Sequence, residues 1–383
     1  MATNHMTAFD RIVYLFQGGG ALGAYQVGVF KCLHENGYKP DWLISTSIGA
    51  INSAIIAGNS PEQCVNKLEE FWHTIATKIP STPNDTPNNI YIERWQHFLS
   101  AFITETFGQS GFFKPRWWNP WFAIESTVDQ LSYYDTGELR DTLMRFIDFD
   151  RINEKKIRLS MGSVRVSTGK LIYFDNTKHT ITPEHIMASA ALPPGLPAIS
   201  IDDGMYWDGG VHSNTQINLL GTEEDRPLRI LCFMVHLFNS FGKRPSTMDD
   251  ILKRQKEISY SSHHLLFIKA YQKLHALKDA IRVLSEHLSE EKKKDPKLQK
   301  LIALGQGGII HLARFHYKGN LSDLSTKDFD FSLQSIMDHM RSGHVDVARI
   351  LNDPPWNKPH NDDNGIVIHE LSDTPIEDDD PFL

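Results

Sequence analysis

Apolar and polar positions change texture three times along this chain. Near the start, residues 11–16 (RIVYLF) form a short, almost wholly apolar run, as expected of a strand buried on both faces. A glycine-rich turn, QGGGALG, fills 17–23. Val27, Phe30 and Leu33 then recur at helical spacing over 24–36, and Gly37 marks the stop. Residues 41–45 (DWLIS) predict a second strand, followed by the tight turn TSIG and a small-residue helix through Ala57. Strand, turn and helix therefore occur twice in quick succession. That order predicts a parallel sheet with helices on its faces.

The second texture is mixed. Residues 62–77 predict a helix with Leu68, Phe71, Trp72 and Ile75 on one side. Residues 78–90, rich in Pro, Asn and Thr, predict a loop, 91–131 are dense in aromatics, and 136–147 predict another amphipathic helix. Strands are expected at 157–166, 171–174 and 229–235. After about residue 245 the pattern changes again. Phe267, Ala270, Leu274, Leu277, Ile281, Leu284 and Leu288 step by three and four, a helical stripe that stops near EEKKKD and Pro296. It reads as a face packed on the rest of the chain, or as the seam of a homo-oligomer through C-terminal helices. The layout expected is an N-terminal segment 1–10, a catalytic unit 11–245 with an aromatic-rich insertion at 78–131, a helical region 246–356, and a polar, acidic, disordered tail 357–383.

Composition narrows the function. With 383 residues, 40% hydrophobic, the chain can bury a large core. Its net charge of −8 argues against a nucleic-acid binder, which usually carries a basic face. Cys32, Cys64 and Cys232 are too few and too scattered for a disulfide framework or a zinc site. No apolar run approaches the ~18 residues of a membrane span, and the start lacks a Sec-type signal. The expectation is a cytoplasmic protein with at most peripheral membrane contact; export without an N-terminal signal would leave no trace here.

Three short segments carry candidate chemistry. Ser45-Thr46-Ser47-Ile48-Gly49 sits between a predicted strand and a predicted helix. A sharp turn there would expose Ser47, flanked by small residues because backbones approach closely. The elbow pattern G-x-S-x-G has Ser45 at its first position and Gly49 at its last, so Ser45 is a second hydroxyl to weigh. Gly18-Gly19-Gly20-Ala21-Leu22-Gly23 closes a strand and opens a helix, so its N–H groups suit an anion. That anion could be a dinucleotide phosphate, for which the spacing also fits, or the oxyanion of acyl transfer. The dinucleotide reading wants an acid at the far end of the second strand. Asp41 has about the right spacing but begins that strand, which favours the oxyanion. Third, Asp208 precedes Gly209 and Gly210 on a turn, with His212 and Asn214 close by.

Taken in order, the segments FQGGGALGAYQVGV, STSIGAINSAIIAG, ASAALPPGLPAI and YWDGGVHSNT resemble the patatin-like phospholipase family over roughly residues 11–220. The resemblance implies an α/β fold, a patatin-like three-layer sandwich on a central, mostly parallel sheet, here with a helical C-terminal extension. It implies Ser47 as nucleophile, Asp208 as base, and the N–H groups of Gly18, Gly19 and Gly20 as oxyanion hole. It further implies a phospholipid or other lipid ester as substrate, with no metal and no cofactor. Leu22 stands where the family often has Arg or Lys. A triad with His212 as base remains open on sequence alone, as do a nucleotide-binding protein and a silent, lipid-binding member of the fold.

One segment stands apart. In GFFKPRWWNPWF (111–122), Phe112, Phe113, Trp117, Trp118 and Trp121 flank Lys114 and Arg116. Trp beside cations suits a lipid–water interface. The segment reads as a lipid-docking lid, or as packing over the active site or against the C-terminal helices.

Overall fold

The computed structural model describes residues 9–77, 90–123, 126–221, 229–242, 244–305, 308–320, 322–358 and 365–371. Its strands are β1 (Arg11–Phe16), β2 (Trp42–Ser45), β3 (Lys114–Pro115), β4 (Tyr134–Asp135), β5 (Arg158–Arg165), β6 (Leu171–Asp175), β7 (Ile199–Ile201), β8 (Gly204–Asp208), β9 (Arg229–His236), β10 (Ile309–His316) and β11 (Gly365–Glu370). The helices are α1 (Gly23–Glu35), α2 (Ile48–Ala57), α3 (Cys64–Ile75), α4 (Ile90–Phe107), α5 (Gly137–Phe146), α6 (Phe149–Asn153), α7 (Pro183–Ser189), α8 (Met248–Glu286), α9 (Glu290–Lys293), α10 (Pro296–Gly305) and α11 (Leu333–Leu351). None of the described helices is long and apolar enough to cross a membrane.

One sheet organises the molecule, in the order β11-β10-β9-β1-β2-β5-β8-β7, with β6 branching from β5. From β11 to β5 all neighbours run parallel; β6, β7 and β8 pair antiparallel. Phe16 pairs with Ser45, so the turns after β1 and β2 leave the sheet side by side. Ser45 pairs in turn with Met161 of β5, and β8 runs the other way until Asp208 meets Ser163. The register thus delivers the glycine turn, the serine turn and the aspartate to one sheet edge.

Helices cover both faces, as the sequence pattern predicts. On one, Tyr14 and Phe16 of β1 join Phe30 of α1, Ile51 of α2, Phe71 and Trp72 of α3 and Ile336 of α11 in the larger core. On the other, Val13, Leu15, Ile44, Cys232 and Leu312 meet Ile268 of α8 and the turn at 217–220. Strands buried on both faces explain the unbroken apolar runs of β1 and β9.

The C-terminal part departs from the helical expectation. β10 and β11 extend the sheet, and β11 falls in the stretch read as a polar tail; the acidic run itself lies outside the described residues. Their pattern misled because polar side chains sit inside. His311 and Arg314 of β10 are buried beside His369 and Glu370 of β11, with 3.0 Å between the His311 and His369 ring nitrogens and an ion pair from Arg314 to Glu370. Paired charges can be buried where lone ones cannot. The leucine stripe of α8 also behaves differently. Ile268 and His275 face inward, while Leu274, Leu277 and Leu284 are exposed. The expected loop at 78–90 lies outside the described residues up to 89.

Candidate active site

β2 ends at Ser45 and α2 begins at Ile48, leaving two residues to reverse the chain. Ser47 takes φ 58° and ψ −130°, a left-handed conformation that costs a non-glycine residue on the order of 1–3 kcal/mol. Packing holds it there. Its N–H donates to Ser189 O at 3.0 Å, and the Ser189 hydroxyl is fixed on Gly162 O at 2.7 Å. A Cβ on Gly49 would lie 2.6 Å from Phe16 O, so only glycine lets α2 start this close to β1. Ser47 lines a cavity of about 240 Å³. Ser45, the rival hydroxyl, is buried in β2 and is not among the cavity's lining residues.

The glycine turn lies against this serine. A Cβ on Gly18 would come 2.7 Å from Ser47 Cβ, and Gly20 takes φ 56° beneath the backbone of Asp328. Two side chains clamp the turn. Asn214 accepts from Gly18 N–H at 3.1 Å and donates back to Gly18 O at 3.0 Å. Gln17 accepts from Leu237 N–H at 2.7 Å and donates to Tyr260 O at 3.0 Å. The Asn214 bond corrects the expected oxyanion hole. Gly18 N–H, one of the three expected donors, is already engaged inside the protein, while Gly19 and Gly20 also line the cavity beside Ser47. The start of α1 adds its dipole to theirs.

Asp208 is fully buried at the end of β8. Its Oδ1 accepts from Gly210 N–H at 2.7 Å, while Oδ2 has no fixed hydrogen-bond partner among the described residues. Burial pushes this carboxyl up to about 7; the nearby Ser47 hydroxyl and the Gly210 N–H hold it below where burial alone would put it. A carboxyl poised near neutrality with one free oxygen beside a strained serine has the features of a general base. His212 lies exposed beyond the Gly209 turn and is not among the cavity's lining residues. Asp41 receives Ile12 N–H at 2.7 Å at the opposite end of β1 from the glycine turn, remote from where a dinucleotide ribose would need it.

The rest of the cavity is mostly apolar, with Asp328 and two tyrosines also on its wall, and part of it was not foreseen. Ile48, Leu192, Pro194 and Leu196 come from segments already singled out or close to them. Tyr260, Phe329 and Phe331 come from the C-terminal part, with no spacing in the sequence to announce them. Phe331 stacks on Trp72, and Asp328 is held by Lys256 at 2.7 Å. The aromatic segment 111–122 divides. Phe112 and Phe113, expected at a docking surface, are buried in the cavity wall, on Phe331 and Tyr134. Trp117 and Trp121 are exposed and Trp118 half-buried.

A family model described as patatin-like phospholipase matches residues 14–220, and a second, described as patatin phospholipase, matches 258–363. The chain is 31% identical over 68 residues to the triacylglycerol lipase SDP1L of Arabidopsis thaliana, a stretch covering 18% of this chain and 8% of that protein. It is 29% identical over 91 residues to the triacylglycerol lipase ptl3 of Schizosaccharomyces pombe, covering 24% and 19% respectively. The chain thus spans less than a fifth of the length of these two relatives. Among solved structures, VipD from Legionella pneumophila superposes with a TM-score of 0.34 at 13% identity, covering 87% of this chain and 67% of that one.

Proposed function

Because the chain belongs to the patatin-like phospholipase family, we propose that it hydrolyses lipid acyl esters with Ser47 as nucleophile and Asp208 as sole general base. One observation carries the reading: a strained Ser47 and a buried Asp208 with a free Oδ2 share a largely apolar cavity with the glycine turn.

The chemistry closes with these groups. Ser47 Oγ attacks the ester carbonyl carbon as its proton passes to Asp208 Oδ2. Gly19 and Gly20 N–H receive the oxyanion, each such donor being worth roughly 3 kcal/mol in related sites. Collapse breaks the carbon–oxygen bond, and the leaving alkoxide takes the proton from Asp208. An acyl group remains on Ser47. Water then attacks that carbonyl, its proton passing to Asp208. The second collapse releases the fatty acid and returns the proton to Ser47. The apolar lining, with Phe112, Phe113 and Phe331, suits an acyl chain, which gains about 0.8 kcal/mol per buried methylene.

The test is labelling by a fluorophosphonate probe, with peptide mapping of the adduct. Covalent modification confined to Ser47 in wild type, absent in Ser47→Ala and strongly reduced in Asp208→Asn, supports the reading. An adduct elsewhere, or no adduct with or without lipid vesicles, would sink it.

A further inference from the structure

α4 is amphipathic with its apolar face turned outward. Ser100, Ala101 and Thr104 are buried, and His97 anchors the helix to Asp330 at 2.6 Å. On its outer side stand Tyr91 (79% exposed), Trp95 (64%), Phe98 (48%) and Phe102 (50%), spaced i, i+4, i+7, i+11. Trp95 stacks on Phe98 and Phe98 on Phe102, so the rings form a continuous ladder. The helix ends at the exposed Phe107 and runs into a loop carrying Trp117 (95% exposed), Trp121 (78%) and Phe122 (83%). The Tyr134 hydroxyl, on the strand that pairs with this loop, donates to Glu105 O and ties the two blocks together. Rings this exposed, in this number, are not the scattered single apolar residues of an ordinary surface.

We propose that the outer face of α4 and the 117–122 loop form one docking surface for a lipid bilayer, bringing lipid to the Ser47 cavity. Three observations choose this occupant. The patch is dominated by Trp, Tyr and Phe, the rings that settle at the boundary between headgroups and acyl chains. Two of the neighbouring rings also carry a polar group at the surface: Trp121 Nε1 donates to the exposed Tyr133 hydroxyl at 3.0 Å. The segment just before this loop lines the cavity through Phe112 and Phe113, so the patch and the cavity wall adjoin in the chain. The placing of the site there rests on the hydrolase reading above; the binding itself does not. With both signs of charge interspersed, at Glu93, Arg94, Lys114 and Arg116, the contact is driven by apolar insertion and depends only weakly on salt.

The experiment is co-sedimentation of the full-length protein with vesicles of diether phosphatidylcholine, which the enzyme cannot hydrolyse. Two triple variants are compared, Trp95→Gln/Phe98→Gln/Phe102→Gln and Trp117→Gln/Trp121→Gln/Phe122→Gln. These side chains are exposed, so thermal unfolding and turnover of a water-soluble ester should match wild type. Each variant is expected to lower vesicle partition by on the order of 10–100-fold. Hydrolysis of ester-linked vesicles should fall in parallel, with soluble-ester turnover intact. Unchanged partition in both variants overturns the proposal. So does a wild type that ignores vesicles but self-associates, with both variants monomeric, which would make the face a contact between copies. Loss of soluble-ester turnover in Ser47→Ala together with intact vesicle binding separates the two readings.

Discussion

Two regions line the same cavity and contribute different things. Gly18, Gly19, Gly20, Ser47, Asp208, Gly210 and Asn214 bring backbone turns, a hydroxyl, a carboxyl and an amide. Tyr260, Asp328, Phe329 and Phe331 bring mainly aromatic bulk. The first set is held by close backbone packing and by side chains bonded to backbone, as in the Asn214 clamp on Gly18. The second is held by packing of distant elements, as in Phe331 against Trp72. The first region should therefore control the chemical step and the second the fit of substrate. Mutations can break that division or sharpen it.

The largest effect is expected at Ser47. Ser47→Ala should lower turnover by ~10⁴-fold or more, since it removes the hydroxyl proposed to carry the acyl intermediate. Steady-state kinetics on a soluble ester checks this, and retained activity would move the nucleophile elsewhere.

Asp208→Asn should cost roughly 10³–10⁴-fold and should also reveal the strain of burying a carboxylate. Wild-type kcat/KM should rise with pH and level off above about 7, because only the ionised carboxylate accepts the serine proton. The sign for stability is opposite. The folded carboxyl titrates above its unfolded value, so folding favours its protonated form. Stability contributed by that form is complete below the unfolded value and is lost as pH climbs toward about 7. At pH 8 the Asn variant should be more stable than wild type by up to ~4 kcal/mol, and the gap should close as pH falls toward 4. Thermal unfolding at the two pH values measures this; a constant gap would mean that ionisation of Asp208 is not its source.

Asn214→Ala should reduce kcat by ~100-fold with little change in KM, because freeing the Gly18 peptide disorders the donors beside it without touching the acyl wall. Phe331→Ala should do the reverse. KM for long-chain esters should rise by about tenfold while kcat for a short ester stays near wild type, with a stability loss of ~3–5 kcal/mol from the cavity left beside Trp72. If Phe331→Ala instead lowered kcat on every substrate, the division between the two regions would fail. The smallest effect belongs to Ser45→Ala. Ser45 Oγ is buried without a hydrogen-bond partner among the described residues, so turnover should remain within about twofold of wild type.

The sequence by itself determined the alternation of strand, turn and helix at the start, both sharp turns, and the aspartate loop. Each is a local rule: a central parallel strand must be apolar on both faces, and a backbone passing within 3 Å of another must be glycine or nearly so. It also supplied Ser47 ahead of Ser45, because the elbow pattern centres on the residue between strand and helix. Tertiary structure decided the rest. Whether Gly18 N–H faces a substrate or a side chain depends on Asn214, nearly two hundred residues away. Phe112, Phe113 and Trp117 look alike in sequence, yet two line the cavity and one faces solvent. β10 and β11 join the sheet although their histidines and charges break the apolar pattern, because each strand carries partners for the other. Periodicity records which side of an element is apolar. What that side meets is set by elements far along the chain: the inner side of α4 is anchored to Asp330, while Trp95, Phe98 and Phe102 stay exposed.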